Sequence, residues 1–227
     1  MAYTILRPSD VPIRGVLFDM DGLVLDTEVL YSRFWQEAAR ALGYPMTREQ
    51  ALGMRALSAA AGQAQLTSYF GPGVSYQEVR AVRIRKMDAY IAEHGVRPKA
   101  GIRELLDFLR ERSIPAALAT SSPMDRIRSY MGPRGLLDGF QAICSGYEVP
   151  HGKPEPDIFL YAADRLGLAP EQCMVLEDSP AGILAASRAE CFPVVVPDQD
   201  QPDPETLSRC AARADSLLDV IDLLKAL

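Results

Sequence analysis

Short apolar runs alternate with amphipathic stretches along most of the chain. "GVLFD" at 15–19 reads as a buried strand, as do "IPAALAT" at 114–120, "FQAICS" at 140–145, "CMVLED" at 173–178 and "FPVVVP" at 192–197. "ADSLLDV" at 214–220 is read as a short sixth. The intervening segments repeat at helical period. In "GIRELLDFLRERS", Ile102, Leu105, Leu106 and Leu109 recur at i, i+3, i+4 and i+7, one face of a helix. "PDIFLYAADRLG" carries a proline near its start and a glycine at its end, and "SPAGILAASRAE" is another short helix. Continuous apolar strands separated by helices predict a mostly parallel sheet covered on both faces.

One region departs from this rhythm. Between Val29 and Pro98 no buried strand stands out, and "YSRFWQEAARALG", "TREQALG", "ALSAAAGQAQLTSYFG" and "SYQEVRAVRIRKMDAYIAEHG" are all helical in character. The expected organisation is α/β: a Rossmann-like parallel-sheet core built from 1–28 and 98–227, with a small helical domain, 29–97, inserted after the first strand. Its hinges are expected near Asp26–Leu30 and in "VRPKAG" at 96–101. Arg80, Arg83 and Arg85 read as a solvated helix face, while Trp35 fits either the core of the insert or a surface turned to a ligand.

The first strand runs straight into acid. "VLFDMDGLVLDTE" places Asp19 directly after Phe18, Asp21 two residues on, and Asp26 beyond. Asp26 and Thr27 fit the cap of a following helix. Asp19 does not, because a carboxylate at the end of a buried strand is costly unless something pairs with it. In an open parallel sheet, ligands sit beyond the carboxyl ends of the strands. There the sequence offers Asp19 and Asp21, the "TSS" of Thr120 to Ser122, Glu177 with Asp178, and Lys153 in the loop "HGKPEPD". Clustered carboxylates without histidine suit a hard cation, Mg²⁺ above Zn²⁺. A lysine and a hydroxyl among them suit a phosphate group. A carboxylate is also a competent nucleophile, and a neighbouring acid can manage the protons.

Composition narrows the partners. The 227 residues carry a net charge of −6, and no basic block exceeds "RIRK" at 83–86, which argues against nucleic acid and anionic membranes. No apolar run approaches the ~20 residues of a membrane helix, and "MAYTILRPSD" has no export-signal pattern. Cys144, Cys173, Cys191 and Cys210 are widely spaced with no CxxC, so free thiols in a reducing cytoplasm are expected.

"FDMDGLVLDTE", "ATSS", "GKPEPDIF" and "LEDSPAGI", in that order over nearly the whole chain, resemble the haloacid dehalogenase-like hydrolases, in the subgroup with a helical cap after the first strand. The resemblance implies Asp19 as nucleophile and Asp21 as general acid/base, with its carbonyl on Mg²⁺. It implies Thr120, with Ser121 beside it, and Lys153 as phosphate-binding groups, and Asp178 with Glu177 at the metal. It implies Gly22 for the tight turn. The dehalogenating branch lacks an acid at position 21, and the ATPase-type members carry threonine there. Two activities remain. One is Mg²⁺-dependent hydrolysis of a small phosphomonoester, a sugar phosphate or nucleoside monophosphate, through an aspartyl-phosphate. The alternative is a β-phosphoglucomutase-type sugar-phosphate mutase. Mutases tend to carry a histidine where Tyr31 stands and a cap arginine three residues beyond a glycine. Here Arg55 follows Gly53 by two, and both departures favour the phosphatase. Glu28, Tyr31 and Arg55 are the cap residues expected to face substrate. The partner implied is a small phosphorylated metabolite, and the chain is expected to be a monomer or weak dimer.

Overall fold

The computed structural model describes all residues except 1, 2, 9, 55, 56 and 58. Among these residues seven strands form one sheet in the order β1-β7-β6-β5-β2-β3-β4: β1 Tyr3–Ile5, β2 Gly15–Phe18, β3 Ala116–Thr120, β4 Ala142–Ser145, β5 Cys173–Glu177, β6 Phe192–Val195 and β7 Ala212–Ala214. All neighbours run parallel except the edge pair β1–β7. The chain therefore builds outward from β2 through β3 to β4, then returns to β5 on the other side of β2. That reversal makes the carboxyl ends of β2 and β5 the switch point of the sheet, where such folds receive ligands.

Among the described residues ten α-helices accompany the strands: α1 Glu28–Ala41, α2 Arg48–Leu52, α3 Ala59–Phe70, α4 Tyr76–His94, α5 Ile102–Glu111, α6 Met124–Met131, α7 Asp157–Leu166, α8 Pro180–Arg188, α9 Pro204–Arg209 and α10 Leu217–Ala226. None of them is long and apolar enough to cross a membrane. By internal contacts the chain divides into two compact units, Met1–Asp26 with Arg97–Leu227, and Thr27–Val96.

In the sheet unit, β2, β3 and β5 are wholly buried, which is why their sequences are unbroken apolar runs rather than alternating ones. Small residues allow close layering. Ala117 and Ala119 of β3 share one cluster with Phe159, Ala162 and Ala163 of α7 and Ala185 and Ala186 of α8. The stripe anticipated on α5 is the buried one, at Ile102, Leu105, Leu106 and Leu109. One expectation in this unit needs correction, and one strand was not foreseen. "ADSLLDV" is not a strand. The sixth parallel element is Ala212–Ala214, and Ser216 then caps α10 through the amide of Asp219. Leu217, Val220 and Leu223 of that segment are buried at helical rather than alternating spacing. The edge strand β1 was also not anticipated. It is three residues long and mostly exposed, too short to carry a period.

The described residues of the other unit form the helices α1 to α4. Trp35 packs with Ala38, Met54, Leu66, Tyr76 and Val79, so its place is the core of this unit. Its ring lies 5.7 Å from that of Tyr76. Arg83 overturns the reading of a solvated arginine face. It is 6% exposed, whereas Arg80 and Arg85 are exposed. Along α4 the buried positions are Tyr76, Val79, Arg83, Met87 and Ile91, so Arg83 falls on the apolar stripe by its spacing. Its guanidinium lies over the rings of Tyr31, at 4.8 Å, and Trp35, at 5.3 Å, and donates to the Met87 sulfur. Cation–π contact of this kind lets an arginine be buried.

Trp35 is the single tryptophan of the chain. Trp35→Ala is expected to destabilise this unit by about 3–5 kcal/mol, the usual cost of deleting a large buried ring. Hydrogen exchange should show faster opening of α1 and α4 amides, while β5 amides keep their protection.

Candidate active site

The site begins where β2 stops. The Asp19 amide still donates to the Leu176 carbonyl, at 3.1 Å, so the residue is fixed as a continuation of the sheet. The chain then turns. The amides of Val24 and Leu25 both donate to the Met20 carbonyl, and that of Gly22 donates to the Leu25 carbonyl at 2.9 Å. Gly22 sits at φ +83°, a left-handed conformation that side chains resist.

Lys153 reaches this strand end from the loop between β4 and α7. Its Nζ donates to Asp19 Oδ1 at 2.5 Å, to Glu177 Oε1 at 2.6 Å and to the Ala119 carbonyl at 3.2 Å. It also lies 4.9 Å from the centre of the Phe159 ring. One cation thus ties the ends of β2, β3 and β5. The second oxygen of Glu177 accepts from the amide and hydroxyl of Ser179, the N-cap of α8. Gly182, in the first turn of α8, leaves room for this carboxylate. A Cβ there would lie 1.8 Å from Glu177 Oε1.

Electrostatics follow from burial. Desolvation pushes the Asp19 carboxyl up to about 7, against the pull of Lys153 and with added repulsion from Glu177 and Asp21. Burial disfavours the charged ammonium of Lys153, but the carboxylates of Asp19 and Glu177 outweigh it and hold its pKa above the ordinary lysine value. Lys153 therefore remains a cation throughout the range in which Asp19 titrates.

The hydroxyl residues take different places. Thr120, the last residue of β3, is buried and its Oγ1 accepts from the Ser122 amide at 3.1 Å. Ser121 is exposed. Ser122, named in the "TSS" run but given no role there, donates to Asp21 Oδ2 at 3.2 Å, and its carbonyl accepts from the Ser145 hydroxyl at 2.8 Å. Ser122 was missed because "TSS" offers three adjacent hydroxyls and spacing alone does not rank them. The Ser179 contact was missed too, although serine before Pro180 is a helix-start signal. Asp178 is half-buried, and carboxylate oxygens of Asp19, Glu177 and Asp178 lie within 4.8 Å of one another. An all-oxygen donor set of this kind fits Mg²⁺. Glu28 and Tyr31 are half-buried positions of the helical unit, Tyr31 lying against Arg83. Arg55 lies outside the described residues.

Removing Lys153 tests this electrostatic account. Lys153→Met would leave Asp19 and Glu177 buried without their cation, and is expected to cost about 3–5 kcal/mol at pH 8. The sign with pH follows from linkage. Asp19 is already raised above its ordinary carboxyl value, and losing Lys153 raises it further, so the folded state binds more protons than the unfolded one across this range. Stability then falls as pH rises. Urea titrations at pH 5.5 and pH 8 should show the deficit shrinking at the lower pH.

Residues 13–190 match the family model of haloacid dehalogenase-like hydrolases. Hexitol phosphatase B of Escherichia coli K12 is 32% identical over 198 residues, covering 85% of this chain and 87% of that protein. A probable pseudouridine-5'-phosphatase of Drosophila melanogaster is 35% identical over 207 residues, covering 87% and 86%. The β-phosphoglucomutase of Bacillus subtilis 168 is 30% identical over 198 residues, covering 84% and 85%. A family hydrolase of Deinococcus radiodurans R1, solved with bound phosphate and sodium, superposes with a TM-score of 0.79 at 28% identity, covering 96% of this chain and 97% of that one. The chain belongs to the haloacid dehalogenase-like hydrolases.

Proposed function

We propose that the protein is a Mg²⁺-dependent phosphatase that hydrolyses a small phosphomonoester, a sugar phosphate or a nucleoside monophosphate, through a phosphorylated Asp19. The observation that carries this reading is Lys153 bridging Asp19 and Glu177 at the switch point of the sheet, with Asp21 held by Ser122 one turn away. The phosphatase relatives and the phosphate-bound neighbour support the same reaction.

In this reading an oxygen of Asp19 attacks phosphorus while the bond to the leaving oxygen breaks. Asp21 gives its proton to that oxygen. Water then attacks the phosphorus, Asp21 takes its proton, and the Asp19 oxygen leaves as a carboxylate. Lys153 orients Asp19 and offers positive charge to the phosphoryl oxygens, assisted by Thr120 and Ser121. Asp19, Asp178 and the carbonyl of Asp21 are the donors that would hold Mg²⁺. Once bound, the ion would neutralise phosphate charge and favour the ionised form of Asp19. Glu177 lies close enough to join that set, but its oxygens are engaged by Lys153 and Ser179, so we assign it the task of orienting the lysine.

The mutase relative keeps the alternative in view. A mutase must hold its intermediate while the substrate re-presents another hydroxyl, and that needs dedicated groups outside the sheet unit. Tyr31 occupies the position where a histidine is expected for that task, and its ring lies against Arg83 within its own unit. Hydrolysis is the simpler outcome. The helical unit acts here as a cap that selects the leaving group, with Glu28, Tyr31 and Arg55 as its candidate contacts. We place the protein in the cytoplasm, where Cys144, Cys173, Cys191 and Cys210 would stay reduced.

Asp19→Asn preserves shape and removes the nucleophilic charge, and should lower turnover by at least about 10³-fold. Phosphate release from a panel of sugar phosphates and nucleoside monophosphates checks this. Turnover within tenfold of the parent would exclude Asp19 as nucleophile. Chelation should abolish release and added Mg²⁺ should restore it, whereas full activity of verified metal-free protein would remove the metal from the reaction. Conversion of β-glucose 1-phosphate to glucose 6-phosphate, primed by a bisphosphate, at a rate above phosphate release from every panel member would establish the mutase instead.

A further inference from the structure

The chain leaves the sheet unit after Asp26 and re-enters it at Arg97. These two crossings are bonded to each other inside that unit. The Asp26 amide donates to the Arg97 carbonyl at 2.8 Å, Leu25 bridges Pro98, and the Lys99 amide donates to the Val24 carbonyl at 2.9 Å. The ladder is continuous with the turn that carries Asp21, through the amides of Val24 and Leu25 on the Met20 carbonyl and that of Gly22 on Leu25. One side chain anchors it to the rest of the unit. Lys99 Nζ donates to Asp198 Oδ1 at 2.5 Å and lies 3.9 Å from Asp26 Oδ1.

Asp198 belongs to the proline- and acid-rich loop after β6. Val196, just before it, donates to the Glu177 carbonyl, so this loop starts from the same sheet edge as the site. The Asp198 side chain is 3% exposed and that of Lys99 25%. Asp198 Oδ1 also accepts from the Gln199 amide group, and its Oδ2 is buried with no hydrogen-bond partner among the described residues. A carboxylate held this way depends on its lysine. Losing the cation would leave a buried charge uncompensated, the situation that makes breaking a buried pair costly.

We propose that Lys99 and Asp198 are a positioning pair, whose partly buried ion pair ties the re-entering segment, with the Met20–Asp26 turn laddered to it, to the loop after β6 and so holds Asp21 in register with Asp19 and Ser122. Neither residue touches the reacting atoms. Their effect passes through the ladder to the proton-handling group, so it falls on turnover rather than on substrate affinity. The kinetic part rests on the phosphatase reading; the structural part does not.

The experiment is amide exchange on the full chain, with steady-state kinetics in parallel, for Lys99→Met, Asp198→Asn and Lys99→Arg. In Lys99→Met and Asp198→Asn, the amides of Gly22, Leu25, Asp26 and Lys99 should exchange at least about tenfold faster, while those of β5 keep parental rates. Their kcat should fall at least about tenfold with KM within about threefold, and Lys99→Arg should keep both near parental values. Protected β5 amides certify the fold, and if one variant fails that control the other decides. Unchanged exchange at the four amides would overturn the proposal. Faster exchange with unchanged kcat, or a loss confined to KM, would overturn it as well. Should the parent hydrolyse no phosphomonoester, the phosphatase reading fails separately and the exchange result alone upholds or overturns the clamp.

Discussion

One ammonium group shared between two buried carboxylates is the constraint on which the site depends. Asp19 and Glu177 stand at the ends of neighbouring strands at the centre of the sheet, where both are buried. Two such acids repel each other, and burial, with repulsion from Glu177 and Asp21, pushes Asp19 up to about 7 even against the pull of Lys153. Lys153 makes the arrangement tenable by bonding to both and to the Ala119 carbonyl near the end of β3. A buried pair of this kind contributes less to stability than its short distances suggest, because desolvation of each charge offsets most of the attraction. Its effect is geometric: three strand ends meet at one cation.

The topology explains why the meeting happens there. Strands on either side of β2 are entered from opposite directions along the chain, so the loops after β2 and β5 diverge and leave a crevice. Asp19 projects from one side of it and Glu177 from the other. Lys153 has to arrive from a third loop, and the small residues of β3 and α7 let that layer pack close. Phe159 of α7 takes a second role by lying under the lysine. Core packing and site construction thus use the same residues.

Much of this was legible in the sequence, and the exceptions have physical causes. The central strands could be read because burial on both faces makes them unbroken apolar runs. The shortest strands could not: β1 and β7 have three residues each, shorter than any usable period. The acids could be read because a carboxylate directly after a buried strand demands a partner. The partner of Asp21 could not be singled out, since Thr120, Ser121 and Ser122 are chemically alike and only the fold separates a buried acceptor, an exposed hydroxyl and a donor. Arg83 was misread because charge was weighed above spacing. Its interval of four from both Val79 and Met87 was the better guide, and the aromatic rings that receive it lie on a different helix.

Glu177 and Asp178 show how adjacent residues of one chemical type part company. Glu177 is the last residue of β5 and wholly buried, and Asp178 is the first beyond it and half-buried. The strand ends at Glu177 and the chain bends at Asp178. Glu177 turns toward Lys153, with its second oxygen taken by the start of α8, and the missing Cβ of Gly182 makes room for it. In the proposed reading Asp178 is then left to the metal. A single "ED" step would thereby supply an anchor for the cation that orients the nucleophile and a ligand for the ion that neutralises the phosphate. Glutamate is the longer of the two and can span to a lysine from a strand end, while aspartate, one methylene shorter, keeps its oxygens near the backbone edge where Asp19 and the Asp21 carbonyl lie. The order of the two residues is thus set by reach as well as by charge, which is why neither could take the other's place without moving both the lysine and the metal donors.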